Sequence, residues 1–255
     1  MAATLEFTDL LRMIDERSAA FRAAIAAAPT LDAPVPTCPG WTLFDLARHI
    51  GEGRRAWAAT VAAGPAATAK SPWAGAPAAP REREALSAWL AASTQELLDA
   101  LREAGPDRAC WVWWGPSQSP ATCGAVARHQ LQEVAVHTYD AQLTLGAPRP
   151  LPDDVALDGV EEFQFTCCAT TIAWPHRPAV VDYHATEGRS WLLALDGTGA
   201  WPAPLTDDAA PASASVTGTA EQLLLLAWGR LTLSDLKIEG DRQVFERLIA
   251  WEPEE

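Results

Sequence analysis

Apolar residues recur at helical spacing through most of the first 147 residues, and this repeat is what most limits the folds open to the chain. Phe7, Leu10, Leu11, Ile14, Phe21 and Ile25 fall on one face of a helix over about residues 4–28. Thr37-Cys38-Pro39-Gly40-Trp41 is a turn. Thr42 with Asp45 then has the spacing of a capping box, opening a second helix through Leu46, His49, Ile50 and Trp57 to about residue 63. The Ala/Pro/Gly-rich stretch 64–80 predicts a loop. A third helix over about 82–103 turns Leu86, Trp89, Leu90, Leu97, Leu98 and Leu101 inward and breaks at Gly105-Pro106. After an irregular aromatic tract at 110–116, a fourth helix runs from near Ala121 to Gly146, whose position suits a left-handed cap, with Pro148 and Pro150 preventing continuation. Four helices of similar length predict a four-helix bundle.

Beyond Pro150 the pattern changes. One more helix is expected over 155–172, then paired strands at 179–186 and 190–195 around the turn Glu187-Gly188-Arg189. Residues 196–211 predict a Gly/Pro-rich loop, and 214–217 a third strand. Thr219 caps a helix to about Gly229, and Gly240-Asp241 precedes a last helix over about 242–250. Helices on a small antiparallel sheet make this half α+β. The expected domains are 1–148, a helical bundle, and 149–255, a small α+β module.

With 19 basic residues against 33 acidic, the net charge of −14 argues against nucleic acid as a partner and against anionic membrane surfaces. The first eighteen residues carry Glu6 and Asp9 within their apolar stretch, unlike a signal peptide. The longest apolar run, Leu223 to Trp228, is far below the ~18 residues that span a bilayer. Five cysteines without CxxC spacing fit reduced thiols in a cytoplasmic protein.

The most informative spacing lies on the fourth helix, His129-Gln-Leu-Gln-Glu133-Val-Ala-Val-His137. Residues four apart share a helix face, so Glu133 and His137 can converge on one point. Leu131, Val134 and Val136 between them are apolar, so the pair projects from a largely buried helix. A buried carboxylate beside an imidazole needs pairing, protonation or a cation. A catalytic zinc-like ion takes three protein ligands and keeps an open fourth position. His49, mid-way along the second helix, offers the missing ligand. Two other readings stay open: a surface pair, or a core histidine satisfied by hydrogen bonds without metal. His129 is a competing ligand or a donor behind the ligands. His176 and His184 read as a loop histidine and a strand-face histidine.

Thr37-Cys-Pro-Gly-Trp-Thr-Leu-Phe-Asp-Leu-Ala-Arg-His-Ile-Gly51 and, about eighty residues on, His129 through Ala141 resemble the mycothiol-dependent maleylpyruvate isomerase family of the DinB-like superfamily. The stretch 216–230 with Glu239-Gly240-Asp241 resembles that family's C-terminal module, somewhat like sterol-carrier folds. Segments 64–120 and 174–212 match weakly. The resemblance implies a divalent metal, usually zinc, held by His49, Glu133 and His137, with mycothiol as the thiol cofactor. The thiolate would add to the cis double bond of maleylpyruvate, the bond would rotate, and elimination would leave fumarylpyruvate. The resemblance also implies an arginine from the C-terminal domain as the catalytic cation for substrate carboxylates. Arg230 is the nearest match, with Arg54 and Arg128 as alternates. Asp140, three residues after His137, would orient a ligand histidine or pair with an arginine. Trp41, Trp111, Trp113 and Trp114 could line the cofactor or substrate pocket, with Trp41, Trp114 and Asp140 assigned to the cofactor.

Two alternatives accompany the isomerase reading. A mycothiol S-transferase acting on an electrophile would use the same ligands, and the Trp-rich tract suits an apolar or aromatic substrate. A non-catalytic metal-bearing protein would capture a hydrophobic ligand through its C-terminal module. The expected partners are a small-molecule thiol and an electrophile, for a monomer or homodimer.

Overall fold

The computed structural model describes residues 5–67 and 77–251, arranged as two compact units. One comprises Leu5–Trp113 with Ala121–Leu151; the other comprises Trp114–Pro120 with the chain from Pro152 onward.

The first unit holds four long helices, α1 (Phe7–Ala27), α2 (Leu43–Ala63), α3 (Arg83–Ala104) and α4 (Cys123–Thr144). The capping box forms: Asp45 N donates to Thr42 Oγ1 at 3.2 Å, and Thr42 N donates to Asp45 Oδ2 at 3.1 Å. Gly146 sits at φ +69°, and its N–H reaches the Leu143 carbonyl, closing α4 as a left-handed cap does. Helix α1 packs on α4 and α3, and α2 packs on α3 and α4. Phe21, Ile25, Leu43, Leu46, Leu86, Leu90 and Val134 fill the space between them. Each such fully buried aliphatic or aromatic side chain contributes about 1.5–3 kcal/mol over its exposed state. At Gly51 the helices approach so closely that a Cβ would lie 1.9 Å from the Trp89 ring. The loop after α2 opens with a 3-10 turn, Gly64–Ala66, and its residues 68–76 lie outside the described residues.

The second unit begins with α5 (Asp153–Phe163), which passes into a π-helical turn at Gln164–Cys168 instead of continuing to residue 172. The chain beyond the turn is held elsewhere: Thr170 exchanges backbone hydrogen bonds with Ala200 at 2.9 and 3.1 Å. Strands β1 (Ala179–Ala185) and β2 (Ser190–Asp196) pair as the alternation predicts, with Trp191, Leu193 and Leu195 buried on one face. The expected loop at 196–211 contains a further strand, β3 (Gly199–Pro204). It is an edge strand, where prolines 202 and 204 are tolerated because one row of N–H groups faces away from the ladder. Strand β4 (Ala214–Gly218) pairs with β1 in parallel, and β5 (Lys237–Gly240) closes the order β3-β2-β1-β4-β5. The sheet is therefore mixed, not antiparallel. The β1-β2-β3 meander leaves the chain at the end where β1 finishes, and residues 205–213 carry it back before β4 starts. Helices α6 (Ala220–Ala227), under its own Thr219/Gln222 capping box, and α7 (Arg242–Ala250) pack on β1 and β4. Among the described residues, no helix is long and apolar enough to cross a membrane.

Candidate metal centre and active site

Helices α2 and α4 bring His49, Glu133 and His137 together. His49 Nε2 lies 3.5 Å from Glu133 Oε2, and His137 Nε2 lies 3.6 Å from the same oxygen. One donor atom from each residue falls within 4.8 Å of the others. Ligands bonded at about 2.0–2.1 Å to a tetrahedral ion are separated by roughly 3.3 Å, so these spacings fit a divalent cation better than short direct hydrogen bonds. The chemistry of the set fits too, with two imidazoles and one carboxylate. Burial pushes the Glu133 carboxyl up, but the facing His49 side chain and then His137 and His129 outweigh it and hold the group at about 2. The carboxylate is thus an anion over the whole neutral range. His137 is nearly fully buried, whereas the His49 side chain is 42% exposed, so the cluster is reached from solvent on the α2 side.

The orientation of His137 is fixed from behind. Its Nδ1 lies 2.8 Å from Asp140 Oδ2, one helical turn along α4, which leaves Nε2 directed at Glu133. Asp140 is fully buried and also accepts from Thr37 Oγ1 at 2.7 Å and Cys38 Sγ at 3.6 Å. The turn before α2 supplies both donors: Val35 N donates to the Trp41 carbonyl and Trp41 N to the Cys38 carbonyl, folding residues 35–41 over Asp140. Of its two expected kinds of partner, Asp140 thus contacts a histidine. Trp41 packs against both imidazoles, with ring centroids 4.9 Å from His49 and 6.4 Å from His137.

A cavity of about 490 Å³ opens beside this cluster, lined by His49, Glu133, His129, Arg54 and three tryptophans, Trp57, Trp111 and Trp113. His129 faces the second Glu133 oxygen, with Nε2 3.8 Å from Oε1, and its ring meets the edges of Trp113 and Trp57. Arg54 is 2% exposed. Its Nη1 donates to Thr94 Oγ1 at 2.6 Å, while Nη2 is buried with no hydrogen-bond partner. Burial and then the Arg22 cation pull its guanidinium down to about 9, against the opposing pull of Glu133 and Asp15. A buried cation without a bound carboxylate is expensive, and buried unpaired polar atoms call for an explanation.

Other expected residues belong to the second unit. Arg230 belongs to the second unit, just past α6, where its Nη1 donates to the Trp228 carbonyl at 2.6 Å. Trp114 also belongs to that unit and is 2% exposed, so the aromatic wall of the cavity comes from Trp111 and Trp113, with Trp57. Trp57 and Arg54 were readable only in part. Trp57 follows His49 by eight residues and shares its helix face, a usable signal; the burial of Arg54 depends on Thr94 of α3 and has none. His176 lies against the Trp174 ring, and His184 on β1 contacts Ser190 Oγ at 3.0 Å.

Fold and donor set define a two-module protein of the helical-plus-mixed-sheet kind, with a candidate metal centre in the helical module. Residues 11–142 match the mycothiol maleylpyruvate isomerase N-terminal domain, and residues 154–247 match the MDMPI C-terminal domain. The chain belongs to the mycothiol-dependent maleylpyruvate isomerase family. A crystal structure of the mycothiol-dependent maleylpyruvate isomerase is similar in fold, at 12% identity and TM-score 0.60 over 92% of this chain and 93% of that one. A histidine-to-alanine variant of the same isomerase gives 13% identity and TM-score 0.62 over the same shares. No curated protein matches the chain.

Proposed function

We propose that the chain is a metal-dependent enzyme using mycothiol, of the maleylpyruvate isomerase type. The observation that carries this reading is the convergence of His49, Glu133 and His137 at a cavity of about 490 Å³. These three residues would hold a divalent metal, zinc by preference for such a donor set. When bound, the metal would ionise a coordinated thiol near neutral pH, supplying the nucleophile.

The side chains around the cluster have separate tasks. Asp140 holds the His137 ring so that Nε2 faces the cluster, and Trp41 buttresses both imidazoles. Arg54, buried beside Glu133, offers its open Nη2 to a substrate carboxylate, an interaction that also relieves an unpaired buried cation. Arg230 is assigned a second carboxylate, following the family resemblance. The walls Trp57, Trp111 and Trp113 would give the substrate an aromatic surface to pack against. Bound mycothiol would supply a thiolate able to add reversibly to one alkene carbon of the substrate, so that cis–trans isomerisation would leave the thiol unconsumed. The same reading takes the helical unit as a DinB-like bundle, the second unit as a sterol-carrier-like module, and the cytoplasm as the location where reduced thiols persist.

A second reading, mycothiol S-transfer to an electrophile, is favoured by the three tryptophans, which suit an aromatic substrate. Purified protein with mycothiol and maleylpyruvate separates the readings. Isomerisation removes the cis isomer at constant thiol, whereas transfer consumes one thiol per electrophile. Metal analysis accompanies the assay: His49→Ala should lose most of the bound metal and the activity together. Unchanged metal content in that variant would remove His49 from the site, and no thiol-dependent turnover would overturn the enzyme reading.

A further inference from the structure

The second unit contains its own cavity, about 460 Å³, within the range that encloses small organic ligands. Helices α5, α6 and α7, the π-helical turn and β1 enclose it, and the rings of Phe163, Tyr183, Trp228, Phe245 and Trp251 supply its aromatic surface. Phe163 and Trp228 stand 6.0 Å apart, and Tyr183 meets Phe245 edge-on at 5.7 Å. No Asp, Glu, Lys, Arg or His is among its described lining residues, and burial pushes the lining Cys168 thiol up to about 12, so that wall is uncharged as well.

Among the lining side chains is one buried amide. Gln164, the first residue of the π-helical turn, is 3% exposed, and neither its Oε1 nor its Nε2 has a hydrogen-bond partner. The wider turn, closed by Ala169 N on the Gln164 carbonyl at 2.9 Å, holds the residue at the cavity wall. An unmade buried amide is costly on both its donor and acceptor sides.

We infer that this cavity binds a neutral, largely apolar molecule carrying a syn N–H/C=O pair, a lactam or primary amide, whose two groups pair with Gln164. A carboxamide meets such a group through two antiparallel hydrogen bonds, and flat ligands suit the aromatic walls. An anion is disfavoured, since nothing in the lining offsets its desolvation. The inference is independent of the metal centre.

The probes are 2-quinolinone, a planar lactam, and 2-methoxyquinoline, which has the same rings without the N–H. Calorimetric titration of the full-length protein should show the lactam binding about tenfold tighter, as expected for two neutral hydrogen bonds. Gln164→Leu should erase that preference, and Ala227→Trp, which fills the cavity, should abolish binding of both. His49→Ala should leave the preference intact, separating this site from the metal centre. Equal affinities for the two probes in the wild type, a preference that survives Gln164→Leu, or binding that survives Ala227→Trp would each overturn the assignment. If Gln164→Leu does not fold, the wild-type comparison and Ala227→Trp decide alone.

Discussion

The His137 ring is fastened to Asp140 by a 2.8 Å contact between Nδ1 and a fully buried carboxylate oxygen, one turn further along the same helix. Asp140→Asn keeps the shape but removes the charge that favours Nδ1–H and a basic Nε2. Metal affinity should fall about 10- to 100-fold, the usual cost of losing such a partner. Competition with a chromophoric chelator measures it. An unchanged affinity would show that the contact does not prepare His137 for a metal.

Arg54 is the clearest case where function and stability are set against each other. Its guanidinium is buried, carries no bound carboxylate, and is drawn down to about 9 by burial and Arg22. Between about 9 and the ordinary arginine range the unfolded chain binds the extra proton, so stability rises with pH there and the charge costs stability at pH 7. Arg54→Met should therefore raise stability at pH 7 by about 1 kcal/mol or more, read from urea unfolding. The same variant should raise KM for an anionic substrate about tenfold or more. A loss of stability together with an unaltered KM would reduce Arg54 to a structural residue bonded to Thr94.

Gly51 tests the α2–α3 contact. A methyl group there meets the Trp89 ring, which is itself fixed by Nε1 donating to the Pro77 carbonyl at 2.8 Å and by the Arg55 guanidinium 4.4 Å above it. The ring cannot yield cheaply, so Gly51→Ala should cost about 1–3 kcal/mol in chemical denaturation despite the helix preference of alanine.

Asp182 on β1 supplies a pH dependence outside the candidate centre. Burial pushes its carboxyl up, with His184 opposing, and its Oδ1 is buried without a hydrogen-bond partner. A raised carboxyl penalises the native state once the pH passes the unfolded value, and the penalty is relieved as the group protonates on acidification. Asp182→Asn should therefore raise the thermal midpoint at pH 7 and have little effect near pH 3. An equal shift at both values would point to packing instead of charge.

Much of the helical half was legible because its signals are local. Thr42 and Asp45 are three residues apart and form the box their spacing announces, and Gly146 adopts the positive φ that ends α4. His49, Glu133 and His137 were readable as a set because i,i+4 spacing fixes one pair and the mid-helix histidine had no nearby purpose. The sheet resisted for the opposite reason. Strand β3 carries two prolines that local pattern assigns to a loop, and only its place at the sheet edge permits them. The parallel β1–β4 pairing depends on which end of the sheet the chain reaches after β3, and no single segment encodes that. Arg54 was readable only as an alternate cation and Gln164 not at all as a site, because an unpaired polar atom is a property of the surroundings, not of the residue.

Residues 114–120 lie between α3 and α4 in sequence but belong to the second unit, with Trp114 buried and Gln118 N donating to the Phe165 carbonyl at 3.1 Å. The two modules are consequently not separable by one cut. A fragment ending at residue 150 would carry this segment without the unit it belongs to, and a fragment starting there would lack the segment that contributes the buried Trp114. Evolutionary exchange of either module for a foreign one faces the same obstacle, so a recombinant partner must bring a compatible loop along with its tail.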